Sequence, residues 1–178
     1  NTKPYEDNFW KKNRIDLLRD HVQSVNTKSK TVTLLTGNSI EYDILIIASG
    51  SKSNKFGWPG QELRGVQGLY SFQDLERMEQ TTRGINHAVI VGGGLIGIEM
   101  AEMLLSRKIA VTMLVRESAF WSNVLPLQEA NMISRHIQSH HVDLKLETEL
   151  KEIQSDDKGC VQSIVTNHGE TISCQFVG

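Results

Sequence analysis

The chain has 178 residues, of which 39% are hydrophobic and 22% are charged, and its formal net charge is −2. This balance excludes a disordered chain and is enough for one good core or two small ones. Basic and acidic residues are mixed, so we expect neither nucleic acid nor an anionic membrane as a partner. No apolar stretch approaches the roughly 20 residues of a bilayer span. Residues 1–6 lack signal-peptide character, which favours a cytoplasmic protein.

The first third of the chain has the pattern of strands. Alternating residues predict antiparallel strands over 15–18, 21–25 and 31–35, with a polar turn before the last of them. Residues 43–48 form an unbroken apolar run, which predicts a strand buried on both faces of a parallel sheet.

A connection and a short helix follow. Residues 52–67 are rich in Gly, Pro, Lys and Ser, which is typical of a connecting segment. Ser71 and Asp74 have the spacing of a capping box, and this predicts a helix over 72–81.

Three glycines then separate a strand pattern at 87–91 from a helical pattern at 98–105. A strand–turn–helix of this kind needs Gly92 for the dihedrals of the turn and Gly94 for close approach of a pyrophosphate. It needs Gly97 so that the helix packs closely on the strand. The phosphates would lie at the helix N-terminus, where free N–H groups favour an anion. The sequence therefore predicts a dinucleotide site.

The rest of the chain completes an α/β unit with a parallel sheet, followed by a β-meander. A right-handed crossover is expected to return the chain to the sheet. The predicted elements are a strand at 110–115, a helix at 127–138, and strands at 142–146, 149–154, 161–166 and 171–177.

The cysteines and histidines carry no clear chemistry. Cys160 and Cys174 have no CxxC spacing and are expected to pack as small apolar residues, although a redox pair is an alternative. The six histidines fall on different elements, so no metal site is predicted.

Three stretches in this order, 42–51, 88–102 and 176–178, resemble the flavin-dependent pyridine nucleotide-disulfide oxidoreductases. The resemblance is greatest to the branch with rubredoxin, ferredoxin and nitrite reductase flavoproteins. Members of that family begin with another glycine fingerprint for FAD and later carry a Gly-Asp segment at the flavin, and neither is present here. The resemblance implies a fragment, with 1–83 as part of a split FAD domain and its connection. It implies that 84–178 is a Rossmann-like NAD(P)H domain whose meander is closed by 176–178.

The resemblance also assigns site residues, with none acting as a catalytic acid or base. It implies that Glu99 meets the nicotinamide amide, although an exposed helix charge is the alternative. For NAD(P)H it implies the turn of Gly92, Gly94 and Gly97, the amides of Leu95 and Ile96, and the backbone of Gly178. For FAD it implies Ala48, Ser49, Gly50 and Ser51.

The choice between NADH and NADPH is left open by three residues. An acidic residue about 20 positions beyond the glycine turn would bind the ribose hydroxyls of NADH, and Val115 occupies that position. Arg116 favours NADPH slightly, because its guanidinium suits a 2′-phosphate. Glu117 would instead restore ribose recognition if the segment shifted by one residue, and it would repel a phosphate. An exposed Arg116 without a role is equally compatible with the pattern.

Two positions that carry glycine in the family are Lys108 and His141 here. We expect a left-handed backbone at each of them, which costs about 1 kcal/mol.

The implied function is hydride transfer from NAD(P)H to a flavin in the longer protein. Electrons then pass to an acceptor, for which an electron-acceptor protein is a candidate. A nucleotide-sensing or interaction module without turnover is the alternative. A flavin-free dehydrogenase is less compatible, because no Tyr-Lys or His-Asp pair follows the third strand of the nucleotide unit.

Overall fold

The computed structural model describes residues 4–178, so residues 1–3, which begin the stretch examined for a targeting signal, lie outside the described residues. The chain divides into two compact units, Asn1–Gly50 and Ser51–Gly178. Within residues 4–178, every helix is too short or too polar to cross a membrane.

The first unit contains a short helix and a three-stranded antiparallel sheet. Its elements are α1 (Asp7–Lys12), β1 (Val22–Asn26), β2 (Thr31–Leu34) and β3 (Ser39–Glu41), with the sheet order β1-β2-β3. The predictions at 21–25 and 31–35 are confirmed as β1 and β2. The strand predicted at 15–18 is wrong, because these residues are irregular and all of them are exposed.

The buried strand predicted at 43–48 is also wrong. The chain leaves the sheet after Glu41, and Ile44, Ile46 and Ile47 are 84%, 83% and 77% exposed. A strand buried on both faces needs partners on both edges and a covering layer on each face. Among residues 4–50, no parallel strand lies beside this run.

The second unit is built on a parallel four-stranded sheet of order β10-β4-β5-β6. Its helices are α2 (Phe72–Thr81), α3 (Leu95–Ser106) and α4 (Leu127–Ser139). Its parallel strands are β4 (His87–Val91), β5 (Ala110–Leu114), β6 (Val142–Lys145) and β10 (Phe176–Val177). The meander is β7 (Leu150–Ser155), β8 (Val161–Thr166) and β9 (Thr171–Ser173). The predicted α/β fold with a parallel sheet and a meander is confirmed.

The two faces of the parallel sheet are covered by different layers. Ala88 and Ile90 of β4 belong to a buried cluster with α3 and α4 residues, whereas Val89 belongs to a cluster with β7 and β8 residues. Successive side chains of a strand point to opposite faces, so β4 is enclosed between helices and meander. This burial fixes the end of β4, from which the glycine turn begins.

The helix predicted at 72–81 is confirmed as α2 with both of its bounds. The N–H of Asp74 donates to Ser71 Oγ at 3.2 Å, and the N–H of Ser71 donates to Asp74 Oδ2 at 3.0 Å. These reciprocal bonds are the predicted capping box.

The strand predicted at 171–177 is two strands in two sheets. β9 ends at Ser173, and Gln175 N–H then donates to the carbonyl of His87, so the chain passes to the parallel sheet. There Phe176 pairs with Ala88 in β4. The expectation that residues 176–178 close the meander is therefore wrong. They form the edge of the parallel sheet.

The connection after Gly50 packs within the second unit. Val66 forms an isolated bridge to Val177, and Gln67 N–H donates to the Val177 carbonyl at 3.0 Å. The compact units thus divide after Gly50. The predicted division into 1–83 for FAD and 84–178 for NAD(P)H is of another kind, because it assigns a cofactor to each part. That division stays a prediction.

The expected left-handed residues are confirmed. Lys108 and His141 have φ values of 64° and 65°, each just after the end of a helix. A β-carbon makes this conformation unfavourable, so each position carries some local strain.

Candidate functional site

The three glycines form a sharp bend between β4 and α3, and two of them are required by local geometry. Gly92 has φ +107°, and its N–H donates to the Leu114 carbonyl at 2.9 Å. A Cβ on Gly97 would lie 2.6 Å from the Gly92 carbonyl oxygen. A side chain at Gly97 would therefore push α3 away from the turn.

Gly94, the N-cap of α3, has a different environment. A Cβ on Gly94 would meet no atom within 4 Å, so the space beside this backbone is open. A cofactor phosphate fits in such a space, since backbone without a side chain permits close approach.

The N-terminus of α3 is suited to an anion. Among residues 4–178, no side chain caps this helix, and its first turn carries no acidic residue. Leu95 and Ile96 are exposed. The first N–H groups of a helix have no partner within the helix and lie at its positive end. The backbone amides of Leu95 and Ile96, at this end of the helix, are therefore chemically suited to an anion, and their role as phosphate ligands stays a prediction.

A cleft of about 650 Å³ lies against the turn, at the carboxyl ends of β4 and β5. Ligands of open α/β sheets bind at this edge. The cleft is lined by Phe56, Trp58, residues 91–94, residues 114–117, Trp121, Asn123, Val124 and residues 148–150.

Phe120 and Trp121 support the turn from one side of the cleft. Trp121 Nε1–H donates to the Gly93 carbonyl oxygen, and Trp121 has φ +62°. The Phe120 ring lies where a Cβ on Gly93 would meet it at 3.0 Å. The two rings stack on each other with centroids 5.6 Å apart. Gly93, which lies between Gly92 and Gly94, is therefore held by an aromatic pair.

The residues expected to recognise the ribose have three different environments. Val115 is buried, and its Cγ2 lies 3.2 Å from the position of a Cβ on Gly93. Arg116 is 73% exposed, and its Nε donates to Glu117 Oε1 at 3.0 Å. The Glu117 side chain is 25% exposed. This hydrogen bond and the negative charge of Glu117 raise the pKa of Arg116.

The two remaining residues expected to contact the nicotinamide half are Gly178, at the sheet edge, and Glu99, on α3. The Gly178 N–H donates to the Val89 carbonyl, and its own carbonyl accepts from Val91 N–H at 2.8 Å. Gly178 thus extends the sheet edge beside the end of β4. Glu99 is exposed on α3, which is compatible both with contact to a nicotinamide and with an ordinary surface charge.

The residues expected to contact FAD are exposed. Ala48, Ser49 and Gly50 end the first unit, and Ser51 begins the second. Ser51 N–H donates to the Tyr70 hydroxyl at 3.2 Å.

Sequence reasoning missed one wall of the cleft. Phe56 and Trp58 lie in the connecting segment and pack with ring centroids 5.1 Å apart. The sequence indicated only a connecting segment over 52–67, and its composition does not show what Phe56 and Trp58 face.

Cys174 is buried in the cluster between sheet and meander. Burial raises the pKa of its thiol to about 12, so the reactive thiolate is scarce at neutral pH. Both cysteines are free, and Cys160 is half-buried. Within residues 4–178, no three His, Cys, Asp or Glu side chains are grouped to hold a metal ion.

A Rossmann-like βαβ unit with an open cleft at its glycine turn defines a dinucleotide-binding protein of the α/β class. Residues 7–177 match the family model of the pyridine nucleotide-disulphide oxidoreductases, and the chain belongs to that family. Members of the family contain FAD and use NAD(P)H.

Three similar proteins illustrate the match. Monodehydroascorbate reductase 2 of Oryza sativa subsp. japonica is 29% identical over 95% of this chain and 37% of the relative. Rubredoxin-NAD(+) reductase of Pseudomonas putida is 26% identical over 96% of this chain and 44% of the relative. A ferredoxin reductase structure from Rhodopseudomonas palustris has a TM-score of 0.86 at 21% identity, over 98% of this chain and 43% of that one. The chain thus spans about two fifths of these proteins.

Proposed function

We propose that this chain is the NAD(P)H-binding part of an FAD-dependent oxidoreductase. The observation that carries the proposal is the open space at Gly94 beside the uncapped N-terminus of α3. When bound there, NAD(P)H supplies a hydride for the flavin of the longer protein.

The chain's own residues bind and orient the cofactor. The amides at the start of α3 neutralise the pyrophosphate, and Gly97 keeps the helix close enough to the strand for those amides to face it. Gly178 offers backbone along the sheet edge, where the nicotinamide half would extend. Glu99 would accept a hydrogen bond from the carboxamide and so orient the ring.

The first unit supports a role in the flavin-binding part of a longer protein. Ile44, Ile46 and Ile47 form an exposed apolar run directly before the predicted FAD contacts Ala48, Ser49, Gly50 and Ser51. Exposed apolar patches commonly mark surfaces that another part of a protein covers. We infer that FAD-binding residues outside this chain complete this region.

We propose that the electron acceptor is a redox protein, because the Pseudomonas putida relative is a rubredoxin-NAD(+) reductase. We also propose a cytoplasmic location for this protein, in contrast to the Oryza sativa relative, which is peroxisomal.

The test uses the full-length protein under anaerobic conditions. We expect a yellow protein. The absorbance of its flavin at the visible absorption maximum should fall when NADH or NADPH is added. A Gly94→Val variant should keep its flavin but lose bleaching, because its Cβ enters the open space proposed for the phosphate.

Two results would contradict the proposal. A flavin-free full-length protein that oxidises neither nicotinamide with an artificial acceptor would refute it. Equal bleaching of the wild-type protein and Gly94→Val would show that the cofactor binds elsewhere.

A further inference from the structure

The cleft beside the glycine turn carries more negative than positive charge at the position expected for the ribose. Glu117 and Glu149 both line this part of the cleft, and Arg116 is the one basic residue among the described residues that line it. At neutral pH this leaves a net charge of about −1. A 2′-phosphate would add up to two negative charges to this environment, whereas a ribose hydroxyl adds none.

Arg116 is already paired in this arrangement. Its Nε donates to Glu117 Oε1 at 3.0 Å, and the charge of Glu149 further raises its pKa. This pair uses only Nε, so a phosphate would bind the remaining Nη1 and Nη2 groups without displacing Glu117. A phosphate bound to Arg116 would still lie close to the carboxylates of Glu117 and Glu149, which would repel it.

Glu117 retains the capacity to bind hydroxyl groups. Within residues 4–178, its Oε2 accepts no hydrogen bond, and each carboxylate oxygen can accept more than one. Arg116 fixes the orientation of this carboxylate through the other oxygen. Glu117 is therefore a pre-oriented acceptor that lines the cleft and has one carboxylate oxygen without a hydrogen bond among the described residues.

Val115 is unable to take this role. Its side chain is apolar and buried beside Gly93, while its N–H donates to the Lys145 carbonyl and its carbonyl accepts from Thr148 N–H. The position expected to carry an acid thus supplies packing, and the nearest acid on the same segment is two residues further on.

We propose that Glu117 selects NADH over NADPH by accepting hydrogen bonds from the adenosine ribose hydroxyls and by repelling a 2′-phosphate. Arg116 is a positioning residue that orients Glu117 and does not bind phosphate. This inference rests on the proposed function and reverses the slight preference for NADPH that the sequence alone suggested.

The test is calorimetric titration of the full chain with ADP-ribose and with 2′-phospho-ADP-ribose, two probes that need no flavin. We expect ADP-ribose to bind at least about tenfold more tightly, as for loss of a charge-assisted hydrogen bond. Glu117→Gln should reduce this ratio about tenfold, and added salt should reduce it in the wild-type chain. Glu102→Gln, an exposed acid on α3, is the matched control and should leave the ratio unchanged.

Arg116→Ala separates the two roles of the ion pair. We expect it to weaken ADP-ribose binding slightly and to leave the 2′-phospho probe weak. A wild-type preference for 2′-phospho-ADP-ribose, or loss of its binding in Arg116→Ala, would overturn this inference alone. Binding of neither probe to the wild-type chain would overturn the proposed cofactor site as well.

Discussion

Two apolar runs of similar sequence have opposite environments in this chain. Residues 43–48 read Asp-Ile-Leu-Ile-Ile-Ala, and β4 reads His-Ala-Val-Ile-Val. Ile46 is 83% exposed, whereas Ile90 is 1% exposed. β4 has a parallel partner on each edge and a different layer on each face, while the first run has no such partner among residues 4–50. Apolar sequence provides the capacity for burial, and neighbouring elements determine whether it is used.

The largest expected effect tests this comparison directly. Ile90→Ala should lower the free energy of unfolding by about 3 kcal/mol, because it opens a cavity between the sheet and its helices. Ile46→Ala in the same chain should change it by less than about 0.5 kcal/mol, since the side chain already faces water. Urea titrations of the two variants give both values.

The same pair of variants in the longer protein can sharpen the comparison. If residues outside this chain cover the first run, Ile46→Ala should there cost about as much as Ile90→Ala. An equal and small effect of Ile46→Ala in both proteins would show that the run stays exposed.

The second expected effect concerns the junction of β4 with α3. Residues 4–50 of the first unit contain no equivalent junction. Gly97→Ala should cost about 2 kcal/mol, because its Cβ would overlap the Gly92 carbonyl. Gly94→Ala is the matched control for stability, since its Cβ enters open space.

Thermal unfolding and NADH titration distinguish the two glycines. We expect Gly97→Ala to lose stability and affinity together, and Gly94→Ala to lose affinity alone. Full stability in Gly97→Ala would show that the helix–strand contact is not tight.

A third effect compares the helices of the two units. α2 has a capping box and buries Met78, whereas α1 buries none of its residues and has no side-chain cap within residues 4–178. Asp74→Ala should destabilise the chain by about 1 kcal/mol at neutral pH. Glu76→Ala, an exposed change on the same helix, should have little effect.

The pH dependence of this effect has a definite sign. Hydrogen bonds from the Ser71 backbone and side chain lower the pKa of Asp74 below its ordinary 3.8. The stabilisation is therefore present above about pH 4 and is lost as the pH falls from there through the lowered value. The wild-type chain should lose its advantage over Asp74→Ala in this range, and a constant difference down to pH 2 would contradict the assignment.

The smallest expected effect is a gain of stability in the second unit, which is the better packed of the two. Lys108→Gly should raise the free energy of unfolding by about 0.5 kcal/mol, because relief of the left-handed strain exceeds the added entropy of the unfolded chain. His141→Gly provides an independent repeat at the same φ. A loss of stability in both variants would show that these side chains contribute contacts that outweigh the strain.

The parts of the fold that local pattern determines were predicted well. The capping residues set the bounds of α2, and the strand–glycine–helix pattern gave β4 and α3, because these signals lie within a few residues of the element they define. The errors at 43–48 and at 171–177 have another cause. Burial of the first run and the change of sheet after Ser173 depend on strands that are distant in the sequence.

The candidate site shows the same limit. The glycine turn was predictable because each glycine answers a local steric requirement. Phe56 and Trp58 were not predictable as cleft residues, because about 35 residues separate them from the turn. The ion pair between Arg116 and Glu117 was also open, since sequence gives neighbouring charges but not their orientation.

The contact of Trp121 with the Gly93 carbonyl has a practical consequence. Two of the three tryptophans, Trp58 and Trp121, line the cleft, whereas Trp10 belongs to α1. Indole emission overlaps the near-ultraviolet absorption of a reduced nicotinamide. The chain therefore carries its own optical reporter, and we expect quenching of its intrinsic fluorescence to follow occupancy of the cleft without any added label.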